Sequence, residues 1–165
     1  MKTIGLIGGM SWESSIEYYR IINQSVREKL GGVHSAKSVM LSVDFAEIEP
    51  LQHQGKWEET GKILVESAQS LEKSGADFIV LCTDTMHKVA DDIQAYVHSP
   101  LLHSADATAQ RGIDSGIRKI ALLGTRFTME EEFYKGRLAQ KYHLDALIPQ
   151  PEEREIIHNV IYNEL

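Results

Sequence analysis

The chain has 165 residues, 42% hydrophobic and 25% charged, with 24 Asp+Glu against 17 Lys+Arg for a formal net charge of −7. That length suits one ordinary domain or two small lobes, and the composition excludes a disordered chain, a collagen and a disulfide scaffold. The acidic balance makes nucleic acid and anionic membranes poor partners, and the single cysteine, Cys82, fits a reducing, cytoplasmic setting.

The opening MKTIGLIGGMSWES has one lysine and a short apolar stretch broken by glycines, too short for a signal peptide. Within it Ile4-Gly5-Leu6-Ile7 predicts a strand, Gly8-Gly9-Met10-Ser11 a loop, and residues 14–29 a helix. Ser38 to Val43 reads as a second strand, and residues 57–73 as a helix with Ile63, Leu64, Ala68 and Leu71 on one stripe, ending before Gly75. Phe78-Ile79-Val80-Leu81-Cys82 is a third apolar run, followed by Thr83-Asp84-Thr85 and a helix to about Tyr96. A seam falls at His98-Ser99-Pro100, and a new helix starts at Ala105. Ile120-Ala121-Leu122-Leu123 then repeats the pattern, with the loop Gly124-Thr125-Arg126-Phe127-Thr128 and a helix over 129–140. A strand at 145–148 and an amphipathic helix at 152–165, with Ile156, Ile157, Val160 and Ile161 on one side, complete the chain.

Continuous apolar runs of four or five residues belong to strands buried on both faces, as in a parallel sheet. The alternation therefore predicts an α/β fold, a parallel sheet with flanking helices, in two lobes at 1–100 and 101–165. Two strands are few for the second lobe, which is expected to be incomplete. No apolar run reaches the ~18 residues of a membrane helix.

In open α/β sheets ligands lie beyond the carboxyl ends of the strands, where helix N-termini aim free N–H groups at anions. Three loops of small and hydroxyl residues fall at such ends and carry Ser11, Thr83, Thr85, Thr125 and Thr128. Each hydroxyl alone could simply cap its own helix, but three such loops in one short chain point to a small carboxylate. Competing motifs are weak. Residues 5–10 miss G-x-G-x-x-G by one place, no lysine follows for a P-loop, and seven histidines show no metal-binding spacing, so no metal is expected. Trp12 and Trp57 read as packing residues.

The stretches G-L-I-G-G-M-S-W-E-S (residues 5–14), S-V-D-F-A-E-I-E (42–49), L-C-T-D-T-M-H (81–87) and L-L-G-T-R-F-T-M (122–129) together resemble the cofactor-independent aspartate/glutamate racemases. The resemblance implies two similar α/β lobes, a homodimer, and an acidic amino acid held between lobes with one cysteine on each side of its α-carbon. It implies neither pyridoxal phosphate nor metal. The family motif reads Cys-Asn-Thr-x-His, with the histidine four places after the cysteine. Here His87 lies four places after Thr83, so Thr83 takes the position of the first catalytic cysteine, Asp84 that of the asparagine and Thr85 that of the threonine. Cys82 is one place off and reads as a buried structural thiol. The matching segments also imply substrate contacts from Met10, Ser11, Gln52, Asp84, Thr85, Gly124, Thr125 and Thr128, with Gln52 meeting a side-chain carboxylate. A second cysteine, expected in a Gly-Cys-Thr-Glu-like segment, has no counterpart before Leu165, so impaired racemase activity is expected. Two readings compete: a non-catalytic relic that binds dicarboxylates or amino acids, and a nucleotide-binding domain, which the late glycine disfavours.

Overall fold

The computed structural model describes residues 1–164, so the last residue of the predicted C-terminal helix, Leu165, lies outside the described residues. The chain divides into two compact units, Met1–Leu102 and a second from His103 onward. Among the described residues no helix is long and apolar enough to cross a membrane.

The first unit is built on four parallel strands, β1 (Ile4–Gly8), β2 (Ser38–Ser42), β3 (Phe78–Leu81) and β4 (Leu101–Leu102), in the spatial order β2-β1-β3-β4. Ile4 aligns with Ser38 on one side and with Phe78 on the other. Between the strands run α1 (Trp12–Leu30), α2 (Phe45–His53), α3 (Trp57–Lys73), a 3₁₀ turn (Thr85–Val89) and α4 (Ala90–Ala95). The stripe expected on α3 is its core face: Leu64, Ala68 and Leu71 are sealed against Ile7, Ile79 and Leu81. Gly5 leaves room for α3 and the turn that follows it; a Cβ there would stand 2.9 Å from the Cβ of Ala76, past the helix, and 3.3 Å from that of Leu71 within it. Gly75, at φ +87°, lets the chain turn from α3 into β3.

The second unit pairs β5 (Lys119–Ala121) with β6 (Asp145–Leu147) in parallel, and adds α5 (Ser104–Asp114), α6 (Arg126–Glu130), α7 (Glu132–Tyr142) and α8 (Pro151–Asn163). Its core of Ala105, Ala109, Leu122, Tyr134, Leu138 and Leu144 lies where α5 and α7 meet the strand pair. Across that contact Asp106 takes both Nε and Nη2 of Arg137, at 2.6 and 2.8 Å, and Lys141 Nζ at 2.9 Å. These partners, Arg137 foremost, hold the Asp106 carboxyl well below the usual carboxylate range. A depressed folded-state pKa contributes stability that is present above the unfolded value of ~3.9 and lost as pH falls through the folded value. Asp106→Asn should therefore destabilise the second unit by about 1–2 kcal/mol at pH 7. The gap to wild type should close as the pH drops below about 4, as read from amide exchange of α5 and α7.

Two elements had no pattern in the sequence to announce them. Residues 45–53 form α2, entered through Asp44, whose Oδ1 accepts from Ala46 N at 3.0 Å, and Leu101 and Leu102 pair with β3 just past Pro100. Two helices and one tryptophan depart from expectation. The single helix expected after Thr85 is a 3₁₀ turn followed by α4, and that expected over 129–140 is broken at Glu131, whose extended backbone starts α7 afresh. Trp12 is not a packing residue but 61% exposed, whereas Trp57 packs on the core beneath Lys88 Nζ, 4.1 Å from its ring.

Candidate functional site

The strand order reverses direction beside β1: the chain moves from β1 to β2 on one side, then returns to β3 on the other. In an open parallel sheet the loops after such neighbouring strands diverge and leave a crevice at their carboxyl ends. The loops at 8–11 and 82–85 flank that point.

The first loop is held by hydroxyls from α1. Gly9 N donates to Ser15 Oγ at 2.9 Å, and Ser15 Oγ donates to Ser11 O at 3.0 Å. Ser14 Oγ donates to Cys82 O at 2.7 Å, with Ser11 O at 3.0 Å as its alternative acceptor. This hydroxyl ties the loop after β1 to the loop after β3, and the sequence reading missed it. Gly9, at φ +93°, lies flat against the exit of β2, where a Cβ would collide with Val43 O. Ser11 precedes the first turn of α1 but makes no side-chain capping bond to it, so the simpler capping alternative finds no support at this position. Its hydroxyl and the first N–H groups of the 19-residue α1 together offer donors to an anion.

The second loop separates its thiol from its hydroxyls. Cys82 continues the ladder, its N–H donating to Ile7 O at 2.9 Å, and its side chain is fully buried. Burial pushes the thiol pKa up to about 12, so Cys82 stays protonated at neutral pH and is a poor nucleophile or base. Thr83 is half-buried, Asp84 exposed, and Thr85 buried at the head of the 3₁₀ turn. Asp84 makes no capping bond there. From α2, Gln52 is buried and its Nε2 donates to Met86 Sδ at 2.9 Å. Gln52 therefore stands against the turn that begins at Thr85, with Met10 buried in the same core. An aromatic disulfide reagent should label Cys82 at least about a hundredfold more slowly in the native chain than in denaturant, since access requires opening.

In the second unit, Thr125 caps α6, its Oγ1 accepting from Thr128 N at 3.4 Å, and the two threonine hydroxyls stand 3.3 Å apart. Gly124 is packed under Thr128, whose Cβ would lie 3.2 Å from a Cβ placed on the glycine. Thus Met10, Ser11, Gln52, Thr83, Asp84 and Thr85 gather at one end of the first sheet, and Gly124, Thr125 and Thr128 form a loop of the second unit. Among the described residues no group of three His, Cys, Asp or Glu is placed to hold a metal ion.

The chain is similar to known proteins along most of its length. A Yersinia pestis protein solved as a candidate Asp/Glu racemase is 55% identical, with a TM-score of 0.92, covering 99% of this chain and 71% of that one. An aspartate racemase homologue from Pyrococcus horikoshii OT3 is 37% identical, with a TM-score of 0.86, covering 100% of this chain and 72% of that one. The broad specificity amino-acid racemase RacX of Bacillus subtilis (strain 168) is 29% identical over 133 residues, 70% of this chain. The alignment spans 56% of that curated relative's length. The family model for Asp/Glu/Hydantoin racemase matches residues 7–164, and the chain belongs to that family.

Proposed function

We propose that the chain is an amino-acid racemase for aspartate or glutamate, of impaired activity, in which the group at the first-base position is the hydroxyl of Thr83. Support comes chiefly from one juxtaposition. Thr83 is half-buried at the point where the sheet order reverses, beside a loop of backbone and hydroxyl donors, while the neighbouring thiol is sealed and protonated. In this reading Ser11, the α1 N-terminus and Thr85 receive the substrate α-carboxylate. As the α-proton leaves to water or hydroxide relayed through the Thr83 hydroxyl, charge delocalises into that carboxylate, and fixed donors there stabilise it. Water supplies the proton on the opposite face, since these 165 residues hold no second cysteine to do so, and turnover is correspondingly impaired. Asp84, Gln52, Met10, Gly124, Thr125 and Thr128 are the remaining proposed contacts.

A threonine hydroxyl is a far weaker acid than a thiol and is hardly ionised near neutral pH. It can return a proton to a carbanion with help from water more readily than it can abstract one. The two directions of reaction are therefore unequal, and one enantiomer is the better substrate. Deuterium incorporation from heavy water into L- and D-aspartate tests this: unequal rates are expected, and equal rates would contradict it.

The same pairing of Thr83 with a protonated Cys82 also favours a second reading, an amino-acid or dicarboxylate binder without turnover. Calorimetric titration with L-aspartate, D-aspartate and succinate separates the two when run beside the exchange assay; binding without exchange supports the binder. A homodimer working in the cytoplasm without cofactor belongs to the racemase proposal, with sedimentation of the purified chain as the check on its oligomeric state.

A further inference from the structure

His158 of α8 is buried, and its Nδ1 accepts the backbone N–H of Arg126, the first residue of α6, at 3.2 Å. Its ring stands edge-on to Phe127, with centroids 6.0 Å apart, and 4.7 Å from the ring of Tyr162. A second contact joins the same helices, from Arg154 Nε to Glu130 Oε1 at 2.9 Å. Arg126 opens α6 and Glu130 closes it, so α8 grips both ends of a five-residue helix. A helix that short has little stability of its own, and its capping bond from Thr125 is long. Its placement, and that of the threonine pair, must come from outside.

An Nδ1 that accepts a hydrogen bond carries no proton, so the bond exists only with a neutral ring. The charged and titratable groups on these elements are Arg126 and Glu130 on α6, with Arg154, Glu155 and Tyr162 within about a turn of His158 on α8. Arg154 and Glu130 neutralise each other. We propose that His158 is a positioning residue for the loop at 124–128: its neutral Nδ1 fixes Arg126 N–H and with it Thr125 and Thr128. Protonation sets two donors face to face and loosens the loop. The consequence for substrate rests on the reading above, in which both threonines contact it.

The test compares wild type, His158→Asn and His158→Phe by amide exchange at Arg126, corrected for intrinsic rates and referenced to Leu138, together with calorimetric titration of aspartate. Asparagine places Oδ1 where Nδ1 stands and does not titrate, while phenylalanine keeps the ring without the acceptor. Wild-type protection at Arg126 should fall about tenfold once the pH is low enough to protonate the ring, which burial and the facing N–H both oppose. It should stay flat in H158N and be lost at every pH in H158F, with aspartate binding weakened in H158F and retained in H158N. Wild-type protection in H158F, or H158N behaving as H158F does, would overturn the proposal. If H158F does not fold, the pH response of wild type against H158N decides alone. Lost protection in H158F with unchanged aspartate binding would support the latch and remove the two threonines from the substrate contacts.

Discussion

Thr83→Cys is expected to exchange the α-proton of the poorer aspartate enantiomer about 10²–10⁴ times faster than wild type, the usual contribution of a competent acid–base group. The wild-type hydroxyl sits half-buried at the end of β3, where a thiol would be far more ionisable than a hydroxyl. Cys82, one residue earlier, gains nothing from that position because its side chain is fully enclosed. The gain should be selective: the enantiomer already handled well should change little, and the ratio of the two rates should move toward unity. Thr83→Ala should slow both, with aspartate binding largely kept, since the proposed carboxylate donors lie on other residues. Deuterium incorporation followed by NMR reads both variants. A Thr83→Cys chain no faster than wild type on either enantiomer would place the reacting group elsewhere.

Gly9→Ala should cost the first unit about 2–5 kcal/mol, summing ~1–2 for a left-handed L-residue and ~1–3 for overpacking. Gly9 has φ +93°, and an added Cβ would strike Val43 O and lie 2.7 Å from Val43 N and 2.9 Å from Ser42 Oγ. Two of these are backbone atoms at the end of β2, and Val43 N is already bonded to Gly8 O at 3.0 Å. They cannot rotate away, so β1 and β2 would have to part. A fall in Tm on the order of 10–20 °C follows for a unit of this size, measurable through the fluorescence of Trp57. Gly55 is the control: it too has positive φ, at +69°, but open space around its Cβ position, so alanine there should meet only the backbone penalty of about 1–2 kcal/mol.

The buried strands and the long helices were legible because their patterns are periodic. Leu64, Ala68 and Leu71 declare the face of α3 by spacing alone, and the apolar runs at β1 and β3 declare strands covered on both sides. What stayed illegible was short or set by tertiary contact. β4 has two residues after a proline, too few for any pattern, and exists because β3 offers it an edge. α2 holds Pro50 inside its nine residues, a breaker in the sequence that the fold accommodates. The break at Glu131 carries no Gly or Pro signal, and α6 is positioned by His158 and Arg154 from α8, far along the chain. At the candidate site Cys82 is sealed and Thr83 half-buried, a split that does not continue the alternation of β3, and only the register of the motif against His87 singles out Thr83. The stitch from Ser14 to Cys82 O spans 68 positions, and no local pattern announces it.

In the proposed reaction the hydroxyl at 83, rather than the adjacent sulfur, meets the substrate. Deuterium incorporation into aspartate by a Cys82→Ala chain separates the two, because alanine fills the sealed strand end with little disturbance and removes the only cysteine of the sequence. Exchange at the wild-type rate is expected, with the wild-type preference between enantiomers. Exchange abolished in folded Cys82→Ala, while Thr83→Ala retains it, would assign the reacting group to the sulfur instead.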